Sequence, residues 1–193
     1  MIQLPAPILL ISDEPSQTSG LARITRDLAT LLSGMPEFRV ATLGWMGTGS
    51  ARLPWPQYHM QAAEFGEYAL PAVWDEFSRG APGIVMAVWD ATRVLWLAQP
   101  ELCEHEPTRM WLREARRSKF KLWLYSPFDA VGPGNRFTGI VREALLGVDR
   151  IVVPSPVALG WVRNTIGVEE ADKRGATWIP HGLNTKTFHL SER

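Results

Sequence analysis

Short and largely apolar runs recur along the chain at Ile8 to Ile11, Val40 to Leu43, Ile84 to Val88, Lys121 to Tyr125, Ile151 to Val153 and Thr177 to Ile179, each bounded by turn-forming residues. Several lack the polar alternation of a strand with one wet face, so both faces of the sheet they build must be covered, which is the requirement of a parallel sheet. Between the runs lie stretches with helical spacing. The clearest are Leu21, Ile24, Leu28, Leu31 and Leu32, then Phe137, Ile140, Val141, Ala144 and Leu145, then Ala158, Trp161, Val162 and Ile166. Each set puts one apolar stripe against a sheet. Further helices are predicted from Pro107 to Ser118 and from Ala72 to Arg79. In the first of these, the basic cluster Arg113, Arg116, Arg117 and Lys119 follows Met110, Trp111 and Leu112 and reads as a solvated face that suits the helix dipole. Strand and helix in alternation predict an α/β fold, a Rossmann-like doubly wound parallel sheet flanked by helices, with ligand loops at the carboxyl ends of the strands.

The 193 residues suffice for one substantial hydrophobic core. Lys plus Arg and Asp plus Glu both number 20, so overall charge gives no reason to bind nucleic acid as a polyelectrolyte, and a charged ligand needs a local site. The single Cys103 forms no internal disulfide and reads as a small apolar residue. The opening MIQLPAPILLIS lacks a basic leader and is too short for a membrane span, so a first strand in a cytoplasmic protein is expected, with no transmembrane segment. The four histidines, His59, His105, His181 and His189, show no metal-ligand spacing, and no metal is expected. Most of the nine tryptophans are expected in or beside the core. Trp45 and Trp55 fall in the Gly- and Pro-rich stretch from Gly44 to Pro56, which reads as a linker-like loop. Their indoles either pack the loop down or cover a sugar face or a partner.

Three strand-end loops carry candidate chemistry. From Ser12 to Asp27 a strand gives way to a polar loop and then to Gly20 at a helix start, with Arg23 one turn in. The residues alone leave open a phosphate-binding helix N-terminus or a plain helix capped by Ser19 or Thr18. Asp90 follows the Ile84 to Val88 run, with Arg93 behind it, and is either a cleft carboxylate or a helix N-cap. The third loop, from Leu122 to Phe137, carries Asp129, Asn135 and Arg136. There Asp129 either bonds a sugar hydroxyl and serves as a proton acceptor, or stabilises a turn. The dinucleotide fingerprint of nucleotide-dependent oxidoreductases and epimerases is missing from the chain.

The final strand leads into Ile179 to Phe188, IPHGLNTKTF. This segment resembles the Pro-His-Gly connector of retaining, two-domain glycosyltransferases of the GT-B type, in the large family-four group. The resemblance extends in order over the chain, through the Ser19-Gly20 loop, the YSPFDAVG segment with Asp129, and DRIVVPS from Asp149 to Ser155. Where the family often has a Gly-Gly pair, this sequence has Ser19-Gly20, keeping one glycine.

The resemblance implies that residues 1–180 form the acceptor-side domain and residues 181–193 a connector or tail, with the C-terminal donor-binding domain not among these residues. It implies sugar transfer from a nucleoside diphosphate sugar to an acceptor, with retention. No cofactor is implied apart from that donor substrate, and the partner is a missing C-terminal domain or subunit. Asp129 and Asp90 are then the candidate catalytic residues, and Ser19, Gly20, Arg23, Arg93, Asn135, Arg136 and His181 the candidate substrate-binding ones. The alternative is a non-catalytic Rossmann-like module that binds a partner or glycan. A large apolar patch where a second domain would dock favours the half-enzyme, and a polar surface there favours the independent module.

Overall fold

The computed structural model describes residues 5–47, 52–60 and 66–182. Seven strands form one sheet, all paired in parallel: β1 (Ala6–Asp13), β2 (Phe38–Trp45), β3 (Gln57–Met60), β4 (Gly83–Val88), β5 (Phe120–Tyr125), β6 (Arg150–Val153) and β7 (Thr177–Trp178). Their spatial order is β3-β2-β1-β4-β5-β6-β7. The chain is an α/β protein with a Rossmann-like doubly wound fold.

The helices are α1 (Gly20–Ser33), α2 (Leu70–Ser78), α3 (Leu95–Ala98), α4 (Glu106–Ser118), α5 (Gly139–Gly147), α6 (Pro156–Ile166) and α7 (Val168–Lys173). Strand side chains alternate between two cores because successive residues point to opposite faces. Leu9, Ile11, Leu43, Val85, Leu122, Leu124, Ile151 and Val153 pack with Leu70, Trp74, Leu112, Ala144, Leu145 and Val162 from α2, α4, α5 and α6. Ile8, Leu10, Val40, Met86, Val88, Tyr125 and Val152 face the other way, towards Ile24, Leu28, Ala29 and Leu32 of α1. One face is therefore covered by several helices and the other, among the described residues, by a single helix, α1, together with Leu53 and Trp55. Ile8 sits opposite both Val40 and Ile84, which fixes the register at the centre of the sheet. Truncating a wholly buried centre residue such as Leu10 removes about 2–5 kcal/mol in proteins generally.

Several expectations need correction. Gly44 and Trp45 end β2 instead of opening a linker, and Gln57–Met60, directly after that stretch, is an unforeseen edge strand. Trp55 is buried, and Trp45 packs edge-to-face on Trp89 at 6.1 Å, so both indoles serve packing. Residues 48–51 between them lie outside the described set. The helix expected from Phe137 starts at Gly139, because Phe137 belongs to the preceding loop. The basic cluster on α4 is not a uniformly solvated face. Arg116 turns inward, donating to the carbonyls of Leu97 and Gly147 and to Asp149 Oδ2 at 3.1 Å. Burial pulls its pKa down and Asp149 opposes that shift. Asp149 Oδ2 also accepts the Leu122 N–H at 2.8 Å, so the pair ties α4 to the start of the β5–β6 ladder.

Candidate functional site

Sheet order reverses between β1 and β4, and the candidate loops sit at the carboxyl ends of the strands there. A crevice at such a switch point is where open α/β sheets bind ligands. At the end of β1, Asp13 is nearly buried and holds both neighbouring loops. Its Oδ2 accepts the Ser19 hydroxyl at 2.6 Å, and its Oδ1 accepts the Trp89 indole N–H at 3.2 Å.

Ser19 is the N-cap of α1, its Oγ accepting the Ala22 N–H at 3.0 Å. The cap reading of that loop therefore holds. It does not close the phosphate reading, since Ser19 satisfies Ala22 while the first N–H groups of any helix lack intrahelical partners. A Cβ placed on Gly20 would meet nothing within 4 Å, so the backbone there borders open space. Arg23 is exposed and lies 3.8 Å from Asp27.

Asp90 takes the N-cap position of a short 3-10 helix over Ala91–Val94 but makes no side-chain cap bond. Its carboxylate stays about half exposed, with Oδ2 3.6 Å from Arg93 Nε. Arg93 also lies 3.6 Å from Asp13 Oδ1 and stacks over Trp45 and Trp89, at 4.8 and 5.3 Å from the ring centroids. Its guanidinium is thus spread over two carboxylates and two indoles, an arrangement that positions the loops after β1, β2 and β4 together.

A groove of about 1180 Å³ begins at this edge and runs down the sheet face that α1 only partly covers. Its polar mouth brings together Asp13, Ser19, Gly20, Arg23, Asp129 and His181, and its floor and wall are Ile84, Met86, Trp123 and Val152 against Ile24 and Leu28. Tyr125 lies beneath His181, ring centroids 5.7 Å apart, and burial pushes its phenol up to about 12. Asp129 is exposed at this mouth.

A second, smaller cleft of about 330 Å³ lies between the loops after β4 and β5, with Asp90 and Thr92 at one side and Phe128, Phe137 and Val141 at the other. Asn135 and Arg136 line neither hollow; both are exposed on the same loop, where Asn135 has a φ of 54°. Of the C-terminal motif, Ile179 to Gly182 borders the groove, and Leu183 to Phe188 lies outside the described residues, as does the rest of the tail.

Sequence reasoning passed over Asp13 and Glu14, although the acidic pair directly after the first apolar run was the available signal. Glu14 is wholly buried, its Oε2 lying 3.0 Å from His59 Nδ1 and its Oε1 without a hydrogen-bond partner among the described residues. Among the described residues, no group of three or more His, Cys, Asp or Glu side chains is gathered as a metal site, and no helix is long and apolar enough to cross a membrane. The sequence matches no protein-family model, and no curated protein matches it significantly.

Proposed function

We propose that this chain is the acceptor-side half of a glycosyltransferase that moves a sugar from a nucleoside diphosphate sugar to an acceptor, with retention at the anomeric carbon. The observation that carries this reading is the groove. Its polar mouth lies at the switch point, and an apolar face continues from it with α1 as the one helix packed there among the described residues. A surface of that kind favours a domain that works against a second body over an independent polar module.

In this reading the start of α1 faces the leaving diphosphate. Its first N–H groups and dipole stabilise the negative charge that develops as the glycosidic bond breaks. Ser19, held by Asp13, fixes the direction of that helix start. Asp129 accepts a hydrogen bond from a sugar or acceptor hydroxyl, and Arg23 adds positive charge at the mouth. Closure of the donor-binding body over the groove excludes water and completes the site.

The test is calorimetry and mass-detected product formation over a panel of nucleoside diphosphate sugars, with the purified chain alone and with a donor-binding polypeptide encoded beside it or continuous with it. Transfer only in the combined system is expected. Robust turnover by these 193 residues alone would overturn the half-enzyme assignment. Absence of donor binding and transfer in every combination would leave the partner- or glycan-binding module.

A further inference from the structure

The smaller cleft has a chemistry that the sugar-transfer reading does not require. Most of its lining is apolar, and its aromatic wall is held in place before any ligand arrives. Phe128 and Phe137 lie with ring centroids 4.2 Å apart and planes inclined by 32°. Phe137 in turn meets the Trp161 ring edge-on at 6.2 Å and 87°. The Phe137 N–H donates to Thr165 Oγ1 at 2.9 Å, and Thr165 is itself anchored to the Trp161 carbonyl, so α6 fixes the wall from behind. Val131 and Val141 complete the apolar surface.

At the rim stands Asp90, an acceptor-only group when ionised, which does not cap the helix it begins. Apolar walls with a few polar groups at the rim are how a small-ligand site sets orientation, and here Thr92 and Thr138 line the cleft with Asp90, whose carboxylate lies beside Arg93. A volume of about 330 Å³ suits one or two rings.

We infer that this cleft binds the aromatic portion of a hydroxyl-bearing ligand, with the hydroxyl donating to Asp90. The inference rests on the acceptor-side reading and deepens it: the acceptor is an aryl alcohol or a conjugate presenting one, and not a wholly polar sugar. The ring lies against Phe128 and Phe137, and Asp90 selects for a donor hydroxyl at the ring edge.

The test is a titration of the whole chain with 2-naphthol, 2-methoxynaphthalene and methyl α-glucopyranoside, followed by ligand-observed NMR and naphthalene fluorescence. Saturable naphthol binding with Kd on the order of 1 mM or tighter is expected. The methyl ether, which cannot donate, is expected to bind about tenfold more weakly. Asp90→Ala, which leaves no side-chain acceptor, should erase that difference while keeping ether binding within about twofold of the native value. Val131→Trp, a filling substitution on the loop, should abolish binding of both, with circular dichroism confirming the fold. Thr138→Trp, at the α5 end of the same segment, should do the same as an independent substitution. Naphthol binding no better than the glycoside, or binding indifferent to both tryptophan substitutions, overturns the inference. The assay needs no donor. Naphthol bound in the cleft without transfer in any combination of polypeptides keeps the site and removes the transferase reading, whereas transfer to polar sugars without naphthol binding does the reverse.

Discussion

Glu14 and His59 meet across three strands, Oε2 to Nδ1 at 3.0 Å, with the Glu14 side chain entirely out of solvent and the His59 side chain 42% exposed. The contact reaches from the end of β1 over β2 to the edge strand β3. It is possible because β2 and the residues after it present glycine where the carboxylate lies. A Cβ on Gly44 would fall 2.2 Å from Glu14 Oε2, and one on Gly47 2.5 Å from it. A short edge strand pairs with β2 along one side only, and this contact adds a second tie to the centre of the sheet.

Gly44→Ala is therefore expected to destabilise the protein by about 2–3 kcal/mol, the upper part of the range for overpacking. The added methyl would also lie 2.9 Å from Glu14 Cα, so moving the flexible carboxylate aside is insufficient relief. Urea denaturation of Gly44→Ala, Glu14→Ala and the double variant separates the two contributions. The double variant should recover only part of the loss. Full recovery would show that the side chain alone sets the limit, and an unchanged midpoint in Gly44→Ala would show that the loop gives way freely.

Stability should fall on the alkaline side, starting near pH 9. Burial first, then the nearby Glu67 carboxylate, pushes the Cys103 thiol from its ordinary 9.0 up to about 11. Burial pushes the Tyr125 phenol from 10.0 up to about 12. Both groups hold their proton more tightly when folded, so between the unfolded and folded pKa values the unfolded chain has fewer protons bound. By linkage, the stability present below pH 9 is lost as pH rises through 11 for Cys103, and that present below pH 10 is lost through 12 for Tyr125. A loss on the order of 1–2 kcal/mol per group is expected. Denaturation midpoints at pH 8, 10 and 11 measure it, and Cys103→Ala should flatten the early part of the decline. Native Cys103 should also react with a disulfide reagent at pH 8 far more slowly than the unfolded chain. Equal rates would contradict its burial.

The sheet was legible because a strand buried on both faces leaves a run that polarity cannot disguise, as at Leu9, Leu10 and Ile11 or Val85, Met86 and Ala87. The missed strand shows the converse. Gln57–Met60 is an edge of four residues with exposed His59 among them, so neither length nor polarity set it apart from the Pro-rich stretch before it. Arg116 read as solvated because periodicity places a residue on a helix face but does not say that a carboxylate from another element waits there. The polar mouth was partly legible: the helix start at Ser19-Gly20 and the Asp129 loop both border the groove. Asp13 escaped notice because its role depends on Trp89, which is 76 residues away and adjoins it only when β1 and β4 pair.

That long-range tie makes Asp13 the residue on which the geometry of the mouth most depends. Asp13→Ala removes an acceptor from the Ser19 hydroxyl and from the buried Trp89 indole, together with one of the two carboxylates beside Arg93. A loss of about 2–3 kcal/mol is expected, since breaking a hydrogen-bonded charged group out of a nearly buried network costs more than an exposed ion pair. Asp13→Asn keeps one acceptor but turns an amide N–H₂ towards either Ser19 or Arg93, so it should lose less than the alanine variant and still fall below the native protein. The cycle Asp13→Asn, Arg93→Met and the double variant, followed by tryptophan fluorescence in urea, should give a coupling of about 1 kcal/mol, because the two residues share partners. Additive effects would mean that Arg93 is held by Trp45, Trp89 and Asp90 without Asp13. In that case the Asp13–Trp89 hydrogen bond, with the Ser12–Val88 bond behind it, joins the ends of β1 and β4 without help from Arg93.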